Sequence, residues 1–132
     1  MIDSFQISAF FAGASAERLY SAWLDSDQHA AFTGSPAKVD PHAGGSFTAW
    51  EGYIQGTNLD LQPYSQILQS WRTTEFPEGS PDSRLEVQFE DVEGGVRLTF
   101  IHTGIPDGEG ESYRQGWEDY YFLPMQAYFS GG

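Results

Sequence analysis

His102-Thr103-Gly104, then a Gly/Glu loop, then Gly116-Trp117-Glu118: this stretch decides the fold. The first triplet ends a strand, and the second lies near the start of a long aromatic helix expected over residues 111–129. Within that helix Tyr113, Trp117, Tyr120, Tyr121, Pro124, Met125 and Tyr128 recur on one face, while Gln115, Asp119 and Gln126 mark the other. Phe122 falls among these polar positions, which predicts exposure or a surface contact. A lone helix this apolar needs a broad concave partner, and a curved antiparallel sheet supplies one. The expected class is therefore α+β, with about six to seven strands wrapped around the C-terminal helix and two short helices after the first strand.

The strands on either side of this helix follow from period-two alternation. Leu85, Val87 and Phe89 alternate with Arg84, Glu86, Gln88 and Glu90, and Gly94-Gly95 marks a hairpin turn. Val96, Leu98, Phe100 and His102 then share a face, which places His102 on the buried side at the strand's end. Pro124 lacks an N–H and would clash with the carbonyl of Tyr120, which predicts a kink.

Upstream, Phe5, Ile7, Ala9 and Phe11 alternate within a strand over 2–11. Ser15 is positioned as an N-cap for a helix carrying Leu19, Tyr20 and Trp23. A second short helix carries Ala30, Ala31 and Phe32, and Gly34-Ser35-Pro36 closes it. The middle reads as a meander: a short strand at 37–40, a tight loop Pro41 to Gly45, and a strand with Phe47, Ala49 and Glu51 on one face. A strand over 53–62 is interrupted by Gly56. The next, over 66–75, turns Ile67, Gln69 and Trp71 inward and Arg72 outward.

Composition narrows the functional classes. With 132 residues, 39% hydrophobic and 16% aromatic, the chain is expected to form a single domain spanning residues 1–132 with a ring-rich core. Nineteen acidic residues against six Lys and Arg give a net charge of -13, which repels phosphate and excludes nucleic acid and anionic membrane as partners. No apolar run is long enough to span a bilayer. Met1-Ile2-Asp3-Ser4 has no basic start of a secretory signal, so a cytoplasmic location is expected. Zero cysteines exclude disulfides. His29, His42 and His102 lie on separate elements, so no metal and no cofactor is expected.

The order of elements resembles the helix-grip layout of the START/Bet v 1-like (SRPBCC) superfamily. Within it, the chain is similar to the AHSA1-like family, named for the activator of Hsp90 ATPase. The resemblance is carried by Ala14-Ser15-Ala16-Glu17-Arg18-Leu19-Tyr20-Ser21-Ala22-Trp23, Asp40-Pro41, Gly44-Gly45-Ser46-Phe47, Gly56, Leu61 with Pro63, and Ser70-Trp71-Arg72. Gly94-Gly95-Val96-Arg97-Leu98-Thr99-Phe100, His102-Thr103-Gly104-Ile105-Pro106 and Gly116-Trp117-Glu118 complete it. It implies an apolar cavity between sheet and C-terminal helix, and relatives that bind small molecules, act as cyclases or hydratases, or contact a chaperone. It carries no universal catalytic set. Asn58 and Asp60 depart from the apolar strand pattern and predict one polar wall.

Three functions follow from that resemblance and the phase of the elements. The first is binding of a hydrophobic, aromatic or lipid-like small molecule, with walls at Phe32, Phe47, Trp71, Phe100, His102, Trp117, Tyr121 and Met125. The second is a cyclase- or hydratase-type enzyme using His102 as acid or base, with Asp60 or Glu51 as its partner. A histidine so placed is more often satisfied by neighbouring backbone or side chains, and no Gly-x-Ser-x-Gly nucleophile motif occurs. The third is a stress- or chaperone-related module with a protein partner, contacting it through an exposed apolar patch at Phe122 or Trp50.

Overall fold

A computed structural model describes residues 3–130, with the side chain of Ser130 left aside. Seven antiparallel strands run in the order β1-β7-β6-β5-β4-β3-β2. They are β1 (Asp3–Ala12), β2 (Ala37–Val39), β3 (Ser46–Ala49), β4 (Ile54–Gln62), β5 (Gln66–Thr73), β6 (Ser83–Val92) and β7 (Gly95–Ile105). Ile2, placed at the start of the first strand by its sequence, lies outside the described residues. Helices α1 (Ala16–Trp23) and α2 (Ser26–Thr33) follow β1 as expected. The C-terminal helix comprises α3 (Gly110–Trp117), a π-helical segment (Glu118–Phe122) and α4 (Leu123–Ser130).

Local chemistry starts and stops these elements where the sequence signals lie. Ser15 and Asp25 cap α1 and α2, accepting from the N–H groups of Arg18 and Gln28. Gly34, at φ +79°, ends α2 in the left-handed conformation. Asp91 Oδ1 accepts from the Ala16 N–H at 2.8 Å, tying the start of α1 to β6. Asp3 Oδ2 does the same for Gly110, fastening the start of α3 to β1. Across β3 and β4, Phe47 pairs with Gly56. A Cβ at Gly56 would stand 1.9 Å from Ser70 O and 2.7 Å from the Phe47 ring, so only glycine fits there.

The core lies between the sheet and the helices. Its sheet side is built by Ile67, Leu85, Val87, Val96, Leu98 and Phe100, all fully buried. Trp23, Phe32, Trp117, Tyr121, Met125 and Phe129 close it from the helical side. Phe100 stacks on Phe122 with centroids 4.9 Å apart, and Trp23 packs against Phe32, Phe100 and Tyr121.

Two expectations are corrected. Phe122 is buried, not exposed, and packs on Phe100 and Phe11. Tyr120 and Tyr128, assigned to the buried face, are exposed. The cause is the π segment. Trp117, Tyr121, Met125 and Phe129 are spaced by four, a row that drifts around an ideal 3.6-residue helix. A turn with i→i+5 bonds uses extra residues and brings the row back onto the sheet. The N–H of Leu123 accordingly donates to Glu118 O. The π segment ends at Phe122, two residues before Pro124, which has no N–H to offer either register.

The second correction concerns β3, which stops at Ala49 instead of continuing to Glu51. Trp50 and Glu51 adopt φ of +54° and +58°, and Gly52 follows at +89°. Three successive left-handed residues reverse the chain into β4, a conformation that glycine tolerates and tryptophan does not favour.

Candidate functional site

An open cleft of about 410 Å³ lies between one edge of the C-terminal helix and the β3–β4 end of the sheet. The β3–β4 connection supplies Trp50 and Tyr53, β4 supplies Ile54, and β5 supplies Trp71. From α3 come Ser112, Tyr113, Gly116 and Trp117, and the π segment adds Tyr120 and Tyr121. Seven of these ten residues are aromatic, so the walls are rigid and largely apolar. Gly116 presents no side chain, which leaves room beside Trp117.

Two of the lining hydroxyls are tied to neighbouring residues. The Tyr53 hydroxyl donates to Glu75, and Tyr113 and Thr73 share a hydrogen bond of 2.7 Å. Burial raises the Tyr113 hydroxyl pKa above its ordinary value, and the negative charges of Glu109 and Glu75 add to this. Within the lining, Trp50 meets Tyr120 edge to face at 5.7 Å.

Of the eight wall positions expected from the sequence, Trp71, Trp117 and Tyr121 line this cleft. Phe32, Phe47, Phe100, His102 and Met125 sit instead in the packed core, each 6% exposed or less. Strand and helix phase places all eight inward, but it does not tell which of them face the cleft and which face other side chains. Trp50, Tyr53 and Tyr120 are lining residues that phase reasoning did not assign to the wall. The left-handed turn and the π segment that aim them carry no period signal.

His102 is satisfied within the core. Trp117 Nε1–H donates to its Nδ1 at 3.1 Å, so the ring proton is on Nε2 and donates to Ser83 Oγ at 2.8 Å. Ser83 in turn donates to Trp71 O at 2.7 Å. Burial pushes the His102 pKa down to about 3, because the charged ring would lose its hydration. Neither Asp60 nor Glu51, the partners considered for it, bonds the ring; both are exposed. His102 is thus a neutral brace that orients the Trp117 indole along the cleft wall.

His29 forms the opposite tautomer. Its Nδ1–H donates to Trp23 O at 2.9 Å, and Nε2 accepts from the Tyr121 hydroxyl at 3.0 Å. Burial lowers its pKa to about 4. Tyr121 is raised well above its ordinary value for the same reason, so it remains a donor.

Asn58 does provide a buried polar group, as its departure from the apolar pattern suggested, but neighbouring protein groups occupy it. Its Nδ2 donates to Asp40 O at 2.7 Å and to His42 O at 3.2 Å. Its Oδ1 accepts from Gln69 Nε2 at 2.8 Å, and Gln69 Oε1 accepts from the Trp23 indole at 3.4 Å. This chain staples the loop at residues 40–45 to the sheet. Asp60 points to solvent after a bulge between Asn58 and Asp60. Among the described residues no group of three His, Asp or Glu side chains converges as a metal site would require.

The sequence profile of the family described as activator of Hsp90 ATPase homolog 1-like protein matches residues 13–130. The chain belongs to this family. It is 35% identical over 118 residues to the human activator of 90 kDa heat shock protein ATPase homolog 1, covering 89% of this chain and 35% of that protein. The Dictyostelium discoideum homologue is 33% identical over 101 residues, 75% of this chain and 26% of that one. The AHSA1-like chain thus spans about a third or less of the length of these relatives. Among solved structures, an HSP90 activator from Plasmodium falciparum superposes with a TM-score of 0.84 at 26% identity, covering 94% of each chain. The helix-grip fold read from the sequence is the fold of this AHSA1-like domain.

Proposed function

We propose that this AHSA1-like domain docks on a chaperone of the 90 kDa heat shock class and modulates its ATPase cycle. The similarity to the human activator across most of the chain carries this reading. The surface supports it: Tyr120 and Leu123 lie exposed at 59% and 61%, with exposed Ala127 one turn further along the helix. An apolar stripe on an acidic molecule suits a partner with an apolar patch and a basic surround. Of the two surface candidates from the sequence, Phe122 is buried and gives way to Leu123, while Trp50 is half-buried against Tyr120. The test is isothermal titration of the domain into a purified 90 kDa heat shock chaperone, with ATP turnover measured in parallel. Saturable binding with altered turnover, weakened by Leu123→Ser with Tyr120→Ser, supports the reading. No binding and unchanged turnover overturn it.

A second reading is favoured by the cleft itself. Its volume falls in the roughly 300–1,000 Å³ range of small-molecule pockets, and its aromatic walls with a few hydroxyl groups suit a hydrophobic or aromatic ligand. Titration with aromatic probes followed at the indole N–H signals of Trp50, Trp71 and Trp117 checks it. Signals that do not move with any probe remove it.

A further inference from the structure

The cleft is lined by rings, and one of them, Tyr53, is hydrogen-bonded to a carboxylate just outside the lining. Tyr53 donates its hydroxyl proton to Glu75, and Glu75 and Glu109 lie close enough to Tyr113 to act on it electrostatically. The cations nearby are engaged elsewhere: Arg72 pairs with Asp82, and Arg114 pairs with Glu111 and Glu118. No Lys or Arg side chain bonds Glu75 or Glu109 among the described residues. Ring faces carry negative quadrupole potential, which attracts a cation most strongly where water is excluded. A carboxylate hydrogen-bonded to a lining ring, as Glu75 is to Tyr53, adds to that potential.

Two irregular pieces of backbone converge on this place. The left-handed turn at Trp50-Glu51 carries Trp50, the π segment carries Tyr120, and the two rings meet in the cleft's lining. Strained or unusual backbone persists where surrounding structure enforces it, and such segments gather at ligand sites.

We infer that the cleft binds a small organic cation, an ammonium group carrying an apolar or aromatic body, with the cationic head between the Tyr53, Tyr113 and Tyr120 rings and facing Glu75. This rests on the small-molecule reading of the cleft and adds the charge of the ligand to it. The apolar body lies against Trp71 and Trp117. An anionic ligand of the same shape meets repulsion from Glu75 and Glu109.

The experiment compares three probes by NMR titration: benzyltrimethylammonium, its uncharged near-isostere tert-butyl phenyl carbinol, and phenylacetate. The expected result is saturable shifts at the Trp50 and Trp117 indole N–H signals with the ammonium, and binding about tenfold weaker or less for the other two. Glu75→Gln, at an exposed position, is expected to weaken the ammonium severalfold and leave the carbinol unchanged. A dispersed amide spectrum confirms that the variant is folded. Equal binding of carbinol and ammonium keeps the small-molecule reading and overturns the preference for a cation. Absence of binding by all three overturns both. The chaperone contact is tested separately by titration with the chaperone, and neither outcome here bears on it.

Discussion

Trp50 and Tyr120 meet edge to face, with ring centroids 5.7 Å apart and ring planes at 73°. One ring comes from a left-handed turn and the other from a π-helical segment. Aromatic pairs of this geometry contribute about 0.5–1.5 kcal/mol beyond area burial. Holding a non-glycine residue left-handed costs on the order of 1 kcal/mol or more. Glu51, exposed and at φ +58°, bears that cost with no side-chain hydrogen bond to offset it among the described residues. Glu51→Gly is therefore expected to stabilise the fold, by up to about 1 kcal/mol, since glycine takes this φ without strain. Urea denaturation measures it, and a clear loss of stability contradicts the strain assignment.

The helix phase gives a sharper pair. Phe122 is buried against Phe100 and Phe11, while the adjacent Leu123 is exposed. Phe122→Ala is expected to cost about 3–5 kcal/mol, the usual loss for a buried ring. Leu123→Ala is expected to change stability by less than about 0.5 kcal/mol. Thermal or urea unfolding of both variants reads the difference directly. The reverse order would mean a continuous α-helix without the π turn.

Asn58 predicts an effect at a distance from its own strand. Asn58→Ala removes both donors that hold the carbonyls of Asp40 and His42, and it leaves the Gln69 amide without its acceptor. The expected cost is about 2–4 kcal/mol, because buried polar partners are stranded. Amide exchange should accelerate at Gly44 and Asn58, whose N–H groups bond Asn58 O and Gly45 O across the same contact. Unchanged protection there would separate the loop from the amide staple.

The two buried histidines predict a pH dependence with a definite sign. Both folded-state pKa values lie below the ordinary 6.5, at about 4 for His29 and about 3 for His102. As pH falls through 6.5 the unfolded chain takes up these protons first. Stability is thus full above that value and declines as pH drops toward the folded-state values. Each histidine contributes up to about 1.4 kcal/mol per pH unit within this window. Denaturation between about pH 7 and pH 5, largely above the carboxylate range, isolates the effect. Nitrogen-15 NMR should find opposite neutral tautomers, with the proton on Nδ1 of His29 and on Nε2 of His102. A charged imidazole signal from either ring at pH 6 would refute the closed hydrogen-bond chains.

The sequence made much of this architecture legible, and particular residues show why. Leu85-Val87-Phe89 and Val96-Leu98-Phe100 alternate because one face of the sheet is buried and the other is wet, a property of strand geometry alone. Ser15, Asp25 and Gly34 announce helix ends because capping is chemistry within a few residues. For the same reason the meander, both N-terminal helices and the inward turn of Trp71 and His102 could be read from local periodicity.

The site was legible only in part. Period assigns a residue to a face, not to a void, so Trp71 and Trp117 were separable from Phe100 and Met125 only once the neighbouring elements were in place. His102 shows the same limit: its chemistry depends on Trp117 and Ser83, residues 15 and 19 positions away in the chain.

The sequence by itself determined the strand and helix order, the aromatic core and the acidic surface, since each follows from local pattern or from composition. Tertiary structure alone decided the register of the C-terminal helix, the reversal at Trp50 and the opening of the cleft. The physical reason is that close packing over-rules local preference. The row Trp117, Tyr121, Met125 and Phe129 reaches the sheet through a π turn, and the gap left beside Gly116 becomes the cleft.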